Sequence, residues 1–218
     1  RTYALAGTLR QAAIAPPVAR EAIVRELAAL RPEISSGEFD VYLARAGAIP
    51  ATLAEIGRVR ELAFRAVGEG TGKPADLDGF DAIYWHLFVW HRRHREIAGA
   101  YPLADVTALP RRPGVYSERL FHFPRSWRAV ATQAVELGRS FIAPPYQRDF
   151  LPLLLLWKGI GHFVLSRPHI RYLFGPVSMS AAYTEESRAA VAAYFQPWGR
   201  GFGPRNPMTH TLSWRRTS

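Results

Sequence analysis

Apolar residues recur at helical spacing between Val18 and Leu30, with Ile23, Leu27 and Leu30 on one face. Ser35, Ser36 and Gly37 break that pattern. From Phe39 to Ala44 polar and apolar positions alternate, Val41 and Leu43 sharing a side, which predicts a first strand. Pro50 and Thr52 open a helix over 51–67 with a stripe of Leu53, Ile56, Ala63 and Val67. Arg58, Glu61 and Arg65 lie on another face at ion-pairing spacing. A glycine-rich run, 68–72, ends this helix and an acidic loop follows, with Asp76, Asp78 and Asp81. Tyr84–Trp90 and Ile97–Leu103 read as two strands joined by a polar turn, a hairpin. Residues 104–130 are proline-rich and irregular in pattern. Residues 134–142 read as a central strand, closed by Pro144-Pro145, from which a helix runs to about Ser166. A strand over 172–177 and a helix over 184–195, capped by Thr184 with Glu185 and Glu186 in its first turn, complete the order. Helix, strand, helix, hairpin, strand, helix, strand, helix predicts an α/β fold: one domain with a central mixed sheet and helices on both faces.

Composition narrows this further. The chain has 218 residues, no cysteine and a formal net charge of +10. No disulfide framework and no thiolate nucleophile is available, and a cytoplasmic address is expected, peripheral at the inner membrane face. Of the excess charge, +6 falls in residues 144–218, which favours acidic partners: phosphate groups, an acidic protein or an anionic membrane. The arginine-rich tail has no recognition motif, so nucleic acid is not expected. The apolar run from Phe150 to Leu165 is interrupted by Pro152, Lys158 and His162 and is too short to span a bilayer. Residues 1–37 read as a helical arm or linker, 38–198 as the folded domain and 199–218 as a Gly/Pro/Arg-rich tail, truncated or disordered. The first residue, Arg1, reads as the start of a fragment or processed product.

Five blocks in order carry a family resemblance: EIGRVRELAFRAVGEGTG (55–72), DLDGFDAIYWHLFVW (76–90), REIAGAYPLA (95–104), VELGRSFIAPPYQRDFLPLLLLWKGIG (135–161) and YLFGPVSMS (172–180). The pattern resembles the GNAT-type domain of the hemolysin-like and ornithine-lipid N-acyltransferase group, and is distantly similar to acyl-homoserine-lactone synthases. The resemblance implies a GNAT fold that moves an acyl group from acyl carrier protein or coenzyme A to an amine such as ornithine, in lipid biosynthesis. It also implies that the domain follows a glycerolipid-type acyltransferase domain in some relatives. The alternative is a degenerate, noncatalytic GNAT module that binds an acidic carrier or a membrane surface.

Amide formation from a thioester needs an amine base and stabilisation of the oxyanion. Glu136 is the candidate base, directly or through water, since a carboxylate in a central strand is costly without a role or a partner. Glu136 and Arg139 match the Glu-x-x-Arg element of the lactone-synthase relatives. Positions three apart in a strand face opposite ways, so a bulge at Gly138 is expected to join them; the alternative is a buried ion pair that orders the sheet. The resemblance makes Arg60, Phe64, Asp78 and Asp81 the frame of the amine pocket. The plainer alternative has the aspartates capping turns and pairing with Arg58 or Arg65. GNAT enzymes present glycines at the phosphate-binding helix start, where this chain has Gln147-Arg148-Asp149-Phe150-Leu151-Pro152. A donor with a single phosphate suits it better, met by Arg148 and Lys158. Pro102 stands where relatives have arginine and predicts an edge or bulge. His86, His91 and His94 lack metal-ligand spacing, and no metal is expected.

Overall fold

The structure is a computed structural model that describes residues 11–110, 114–178, 183–195 and 203–204. In chain order its elements are α1 (Arg20–Ala28), β1 (Ile34–Ser36), β2 (Phe39–Arg45), α2 (Pro50–Ala66), β3 (Trp85–His91), β4 (Glu96–Asp105), α3 (Ser117–Leu120), β5 (Phe121–His122), α4 (Trp127–Ala131), β6 (Ala134–Leu137), β7 (Phe141–Ile142), α5 (Phe150–Leu165), β8 (Tyr172–Phe174), α6 (Glu185–Phe195) and β9 (Gly203–Pro204). The class is mixed α/β. Contacts cluster into two units: the described residues up to Ala104 with Leu137–Pro168, and Asp105–Glu136 with the described residues from His169 onward.

The first unit is built on an antiparallel ladder. β1 and β2 form a tight hairpin in which Gly37 takes φ 56°, a conformation that suits glycine. The Ser35–Gly37 break is therefore strand and turn. β2 pairs β3 without a slip, from Phe39 opposite His91 to Arg45 opposite Trp85. This puts Val41 and Leu43 opposite Val89 and Leu87 on one face. α5 lies on that face, so close that a Cβ on Gly159 would sit 2.7 Å from Leu87 and 3.2 Å from Val41. The other face carries Tyr42 stacked on Phe88, with centroids 5.5 Å apart, and His86, whose ring meets the loop held by α2. Helices cover both faces of this ladder. The carboxylate of Glu26, on α1, caps α2 by accepting from Ala51 N and Thr52 N at 2.7 and 2.8 Å.

Three expectations need correction here. The stretch 134–142 is two strands, β6 and β7, parted where Arg139 adopts φ 47°; the left-handed turn falls on the arginine and not on Gly138. Pro102 is neither at an edge nor at a bulge. It lies opposite His86 inside β4, which has β3 on one side and β7 on the other, and its carbonyl accepts from Gly138 N at 3.4 Å. The bulge is at Ala98, where the β3 register shifts, and Ala98 O accepts from Ala143 N at 2.9 Å. Finally, Pro144-Pro145 opens only a short 3-10 turn. α5 starts afresh after Asp149, whose carboxylate accepts from Leu151 N at 2.9 Å.

In the second unit β6 and β8 pair in parallel, from Ala134 opposite Tyr172 to Glu136 opposite Phe174. β8 ends three residues earlier than the alternation predicts. α3, β5 and α4 occupy the stretch expected to be irregular. Thr184 caps α6, as predicted, by accepting from Ser187 N at 3.2 Å. Apart from residues 203–204, the tail lies outside the described residues.

The β4–β7 pairing leaves no room at Gly99, where a Cβ would lie 2.8 Å from the Phe141 carbonyl oxygen. Because that atom is backbone, Gly99→Ala is expected to cost about 1–3 kcal/mol, read as a lower urea midpoint with an unchanged slope.

Candidate active site

α2 carries Arg60 inward to zero exposure. Gly57, one turn earlier, has no Cβ, and Leu77 fills the space: its Cγ would sit 2.4 Å from a Cβ there. Asp76 N donates to Gly57 O at 2.9 Å, so the acidic loop is laid directly along α2. Arg60 Nε then donates to Asp76 Oδ2 at 3.0 Å, and Nη2 to the Asp76 carbonyl and to both Asp81 oxygens at 3.1 Å. The loop is tied to itself as well. Asp78 N donates to Asp81 Oδ2 at 2.9 Å and Phe80 N to Asp78 Oδ1 at 2.8 Å.

Arg139 closes the cluster from the β6–β7 break. Its Nη1 donates to Asp76 Oδ1 and Asp78 Oδ2, both at 3.2 Å; its Nη2 donates to Asp78 Oδ1 at 3.3 Å and Asp81 Oδ2 at 3.1 Å. Among the described residues, three carboxylates thus meet two guanidiniums. Asp78 is the most open of the three, its side chain 23% exposed. Burial by itself would raise the Asp81 carboxyl, but the two arginines and the Asp78 N–H more than offset it and hold the group below 3.8. His86 Nε2 lies 2.8 Å from the Asp81 carbonyl, which fixes it as the donor, and burial pushes the imidazole below its ordinary value. Arg60 Nη1 and His86 Nδ1 are buried with no hydrogen-bond partner among the described residues.

Arg60, Asp78 and Asp81 are therefore brought together, as the resemblance implies, and Arg139 joins them: no hydrogen bond among those described links it to Glu136, the partner expected for it. Asp76, which pattern alone ranks below its neighbours, is an equal member. Phe64, one turn beyond Arg60, is half-buried on the same side of α2. The alternative partners for the aspartates do not apply: Arg58 pairs Glu55 at 2.6 Å and Arg65 pairs Glu61 at 2.7 Å.

Glu136 has other partners. Fully buried in β6, it accepts from Tyr116 N at 3.0 Å and Ser117 N at 2.6 Å, one bond to each oxygen. It anchors the turn into α3. That turn borders an apolar cavity of about 230 Å³ within the second unit, lined by Ser117, Phe121, Phe123, Phe174 and Gly175. Ser117 Oγ is buried with no hydrogen-bond partner among the described residues. No periodicity marks this cavity in the sequence; the clustered aromatics of 121–127 and 172–174 were its only signal.

Arg148 and Lys158 are both exposed. Phe150 and Lys158 stand about 12 Å apart along α5, so Arg148, which precedes the helix, and Lys158 do not converge on one phosphate. Asp149 already caps the helix start and Pro152 offers no N–H, so the donor set does not fit a coenzyme A pyrophosphate held in the ordinary GNAT way. Among the described residues no group of three His, Asp or Glu side chains is arranged to hold a metal. His91 and His94 instead stack at 4.0 Å, and His94 Nδ1 reaches the Tyr146 hydroxyl at 3.2 Å.

Residues 59–158, just under half of the chain, match the family model of the acetyltransferase (GNAT) domain, in keeping with the mixed α/β fold. The chain is 32% identical over 200 residues to a glycine N(alpha)-acyltransferase of Bacteroides thetaiotaomicron, covering 84% of this chain and 59% of that protein. It is 31% identical over 183 residues to the enzyme of the same name from Phocaeicola vulgatus, covering 78% of this chain and 55% of the relative. The chain therefore spans a little over half the length of these relatives. Among solved structures, the AHL synthase LasI superposes with a TM-score of 0.46 at 15% identity, over 64% of this chain and 72% of that one.

Because Arg60 is buried and ion-paired with Asp76 and Asp81, Arg60→Met is expected to cost about 3–5 kcal/mol. The cluster's share of the pH dependence follows from its two shifted groups. Both Asp81 and His86 have folded values below their ordinary ones, 3.8 and 6.5, so each contributes stability that is complete above its ordinary value and lost below it. The thermal midpoint is expected to decline as pH falls from about 6.5 and to drop further below about 4. Asp81→Asn is expected to shrink the lower step in a calorimetric pH series without abolishing it, since the Glu61 carboxyl, which burial by itself would raise, is also held below its ordinary value by Arg65, Thr71 and Gly72.

Proposed function

We propose that the chain carries an N-acyltransferase domain that moves a fatty acyl group from a carrier thioester to the amine of a small amino acid, glycine or ornithine, in lipid biosynthesis. The reaction forms one C–N bond and breaks one C–S bond; a proton leaves the nitrogen and one arrives at the sulfur. The observation that carries this reading is the Arg60–Asp76–Asp78–Asp81–Arg139 cluster, which among the described residues holds one more carboxylate than guanidinium and is open at Asp78. A cationic amine is drawn to that edge, while the two guanidiniums keep the carboxylates fixed. Relatives named for glycine N-acylation support the acceptor class. The aromatic-lined cavity supports a long acyl chain over an acetyl group.

On the donor side the capped start of α5 favours acyl carrier protein over coenzyme A, with Arg148 the cation placed to meet its single phosphate. Glu136 serves the reaction by holding the Ser117 turn at the cavity wall, not as the amine base. Phe64 walls the amine side beside Arg60.

The test is transfer of radiolabelled acyl groups from acyl carrier protein and from coenzyme A to glycine, ornithine and polyamines. An N-acyl amino acid is the expected product, and Asp78→Asn is expected to raise the KM for the amine about ten-fold or more with a smaller effect on kcat. Carrier binding without product from the full-length protein points instead to a docking module.

Glu136→Gln separates the two roles of that residue. As an anchor it loses an acceptor and sets an NH2 against a backbone N–H, so the thermal midpoint falls and the loss of activity follows the loss of folded protein. A variant that melts like wild type and makes no product identifies a base. Phe174→Ala, which enlarges the cavity, is expected to shift donor preference towards longer chains.

A further inference from the structure

α5 is apolar on the face turned towards the sheet and on the face turned away from it. On its outer side Phe150, Leu153, Leu154, Trp157, Gly161 and Leu165 fall together. Phe150 is 70% exposed, Leu153 39%, Trp157 52% and Leu165 81%. A single exposed apolar residue needs no account, but a stripe along four turns of one helix marks an interaction surface. A helix apolar all round is ordinarily buried all round.

The charges bordering the stripe have one sign. Arg148 precedes the helix, Lys158 and His162 lie along one edge, and Arg167 follows with its guanidinium 3.8 Å from the Phe163 ring centroid. Asp149 is the one carboxylate between residues 137 and 168, and its side chain is engaged in capping.

We propose that this face of α5 docks on an anionic lipid surface. The helix lies in the plane of the interface, with Phe150, Trp157 and Leu165 entering the acyl boundary and Arg148 and Lys158 level with the headgroups. At 16 residues α5 is too short to cross, and among the described residues no helix is long and apolar enough to span a membrane.

The charges select lipid over the other occupants. Two copies joined on this face about a two-fold axis would set cations against cations, since the face carries no free carboxylate to answer them. An acidic carrier protein would meet the cations but leave the aromatic and aliphatic stripe, the larger part of the face, unmatched. This surface shares Arg148 with the proposed donor contact but involves neither the Arg60 cluster nor the cavity, and the variants below leave Arg148 in place.

The experiment is co-sedimentation of the full chain with sucrose-loaded vesicles of phosphatidylcholine alone and of phosphatidylcholine with about a third phosphatidylglycerol. Binding to the anionic vesicles is expected, and Trp157→Glu should weaken it about ten-fold or more. Lys158→Glu should weaken it about five-fold. Arg93→Glu makes the same charge change on the β3–β4 turn, where the side chain is 76% exposed, and should change binding less than two-fold. Circular-dichroism melts verify that each variant is folded.

The proposal is overturned if Arg93→Glu weakens binding as much as Lys158→Glu, which would mean that net charge alone acts. It is also overturned if folded Trp157→Glu binds like wild type or if no vesicle is bound. Sedimentation velocity showing a dimer that Trp157→Glu dissociates would assign the face to a second copy. Capture of acyl carrier protein that Trp157→Glu abolishes, with vesicle binding intact, would assign it to the carrier.

Discussion

A guanidinium with no solvent exposure must be answered inside the protein, and Arg60 is answered by a loop that has no regular structure of its own. The 76–81 segment has neither ladder nor helix to fix it. What holds it is the charge on α2, the Gly57 carbonyl that receives Asp76 N, and the Leu77 side chain that enters where Gly57 has no Cβ. The dependence is mutual. Without the aspartates Arg60 would be a buried charge without compensation, and without Arg60 three carboxylates would share one small volume. Since a fully paired network costs less than a partly paired one, the cluster forms as a whole or not at all.

This accounts for the conformation of Arg139. A non-glycine residue at φ 47° is strained by about 1–3 kcal/mol, and a glycine stands next to it in the chain. The strain persists because the arginine makes four charge-assisted bonds to three aspartates from there. A strand running straight through 134–142 would have kept Arg139 in line with the ladder and left the aspartates with a single counter-ion.

The sheet and the main helices were legible in the sequence because their signals are local. Period-two alternation in β2, the paired apolar runs of β3 and β4, and the stripes of α2 and α5 each announce an element and its buried face. Arg60 and the aspartates were singled out through the family resemblance, and Arg139 was singled out apart from them, beside Glu136. Their partnership was not legible. That Arg60 serves the aspartates while Arg58 and Arg65 turn to Glu55 and Glu61 depends on the rotation of α2, which spacing does not specify. Glu136 admits two readings for a related reason. A buried carboxylate in a strand needs a reason to be there, but two backbone N–H groups from a turn nineteen and twenty residues away satisfy it as fully as catalysis would. Pro102 misled because a proline in an inner strand is ordinarily excluded; here its carbonyl still takes part in the pairing and its missing donor is not needed.

The start of α5 shows how one cap constrains the choice of donor. A helix N-terminus attracts anions through its free N–H groups and its dipole, and GNAT folds use this for a pyrophosphate. In this chain the anion is built in. Asp149 lies at the cap with its carboxylate on Leu151 N, and Pro152 removes one of the remaining donors. A ligand with several phosphate charges would have to displace a covalently tethered carboxylate and then meet it as a neighbour of like sign. The donor proposed above, a carrier-borne arm with a single phosphate beside Arg148, would avoid that conflict. The missing glycines are therefore consistent with a change of donor, and they carry no implication that the fold has lost its chemistry.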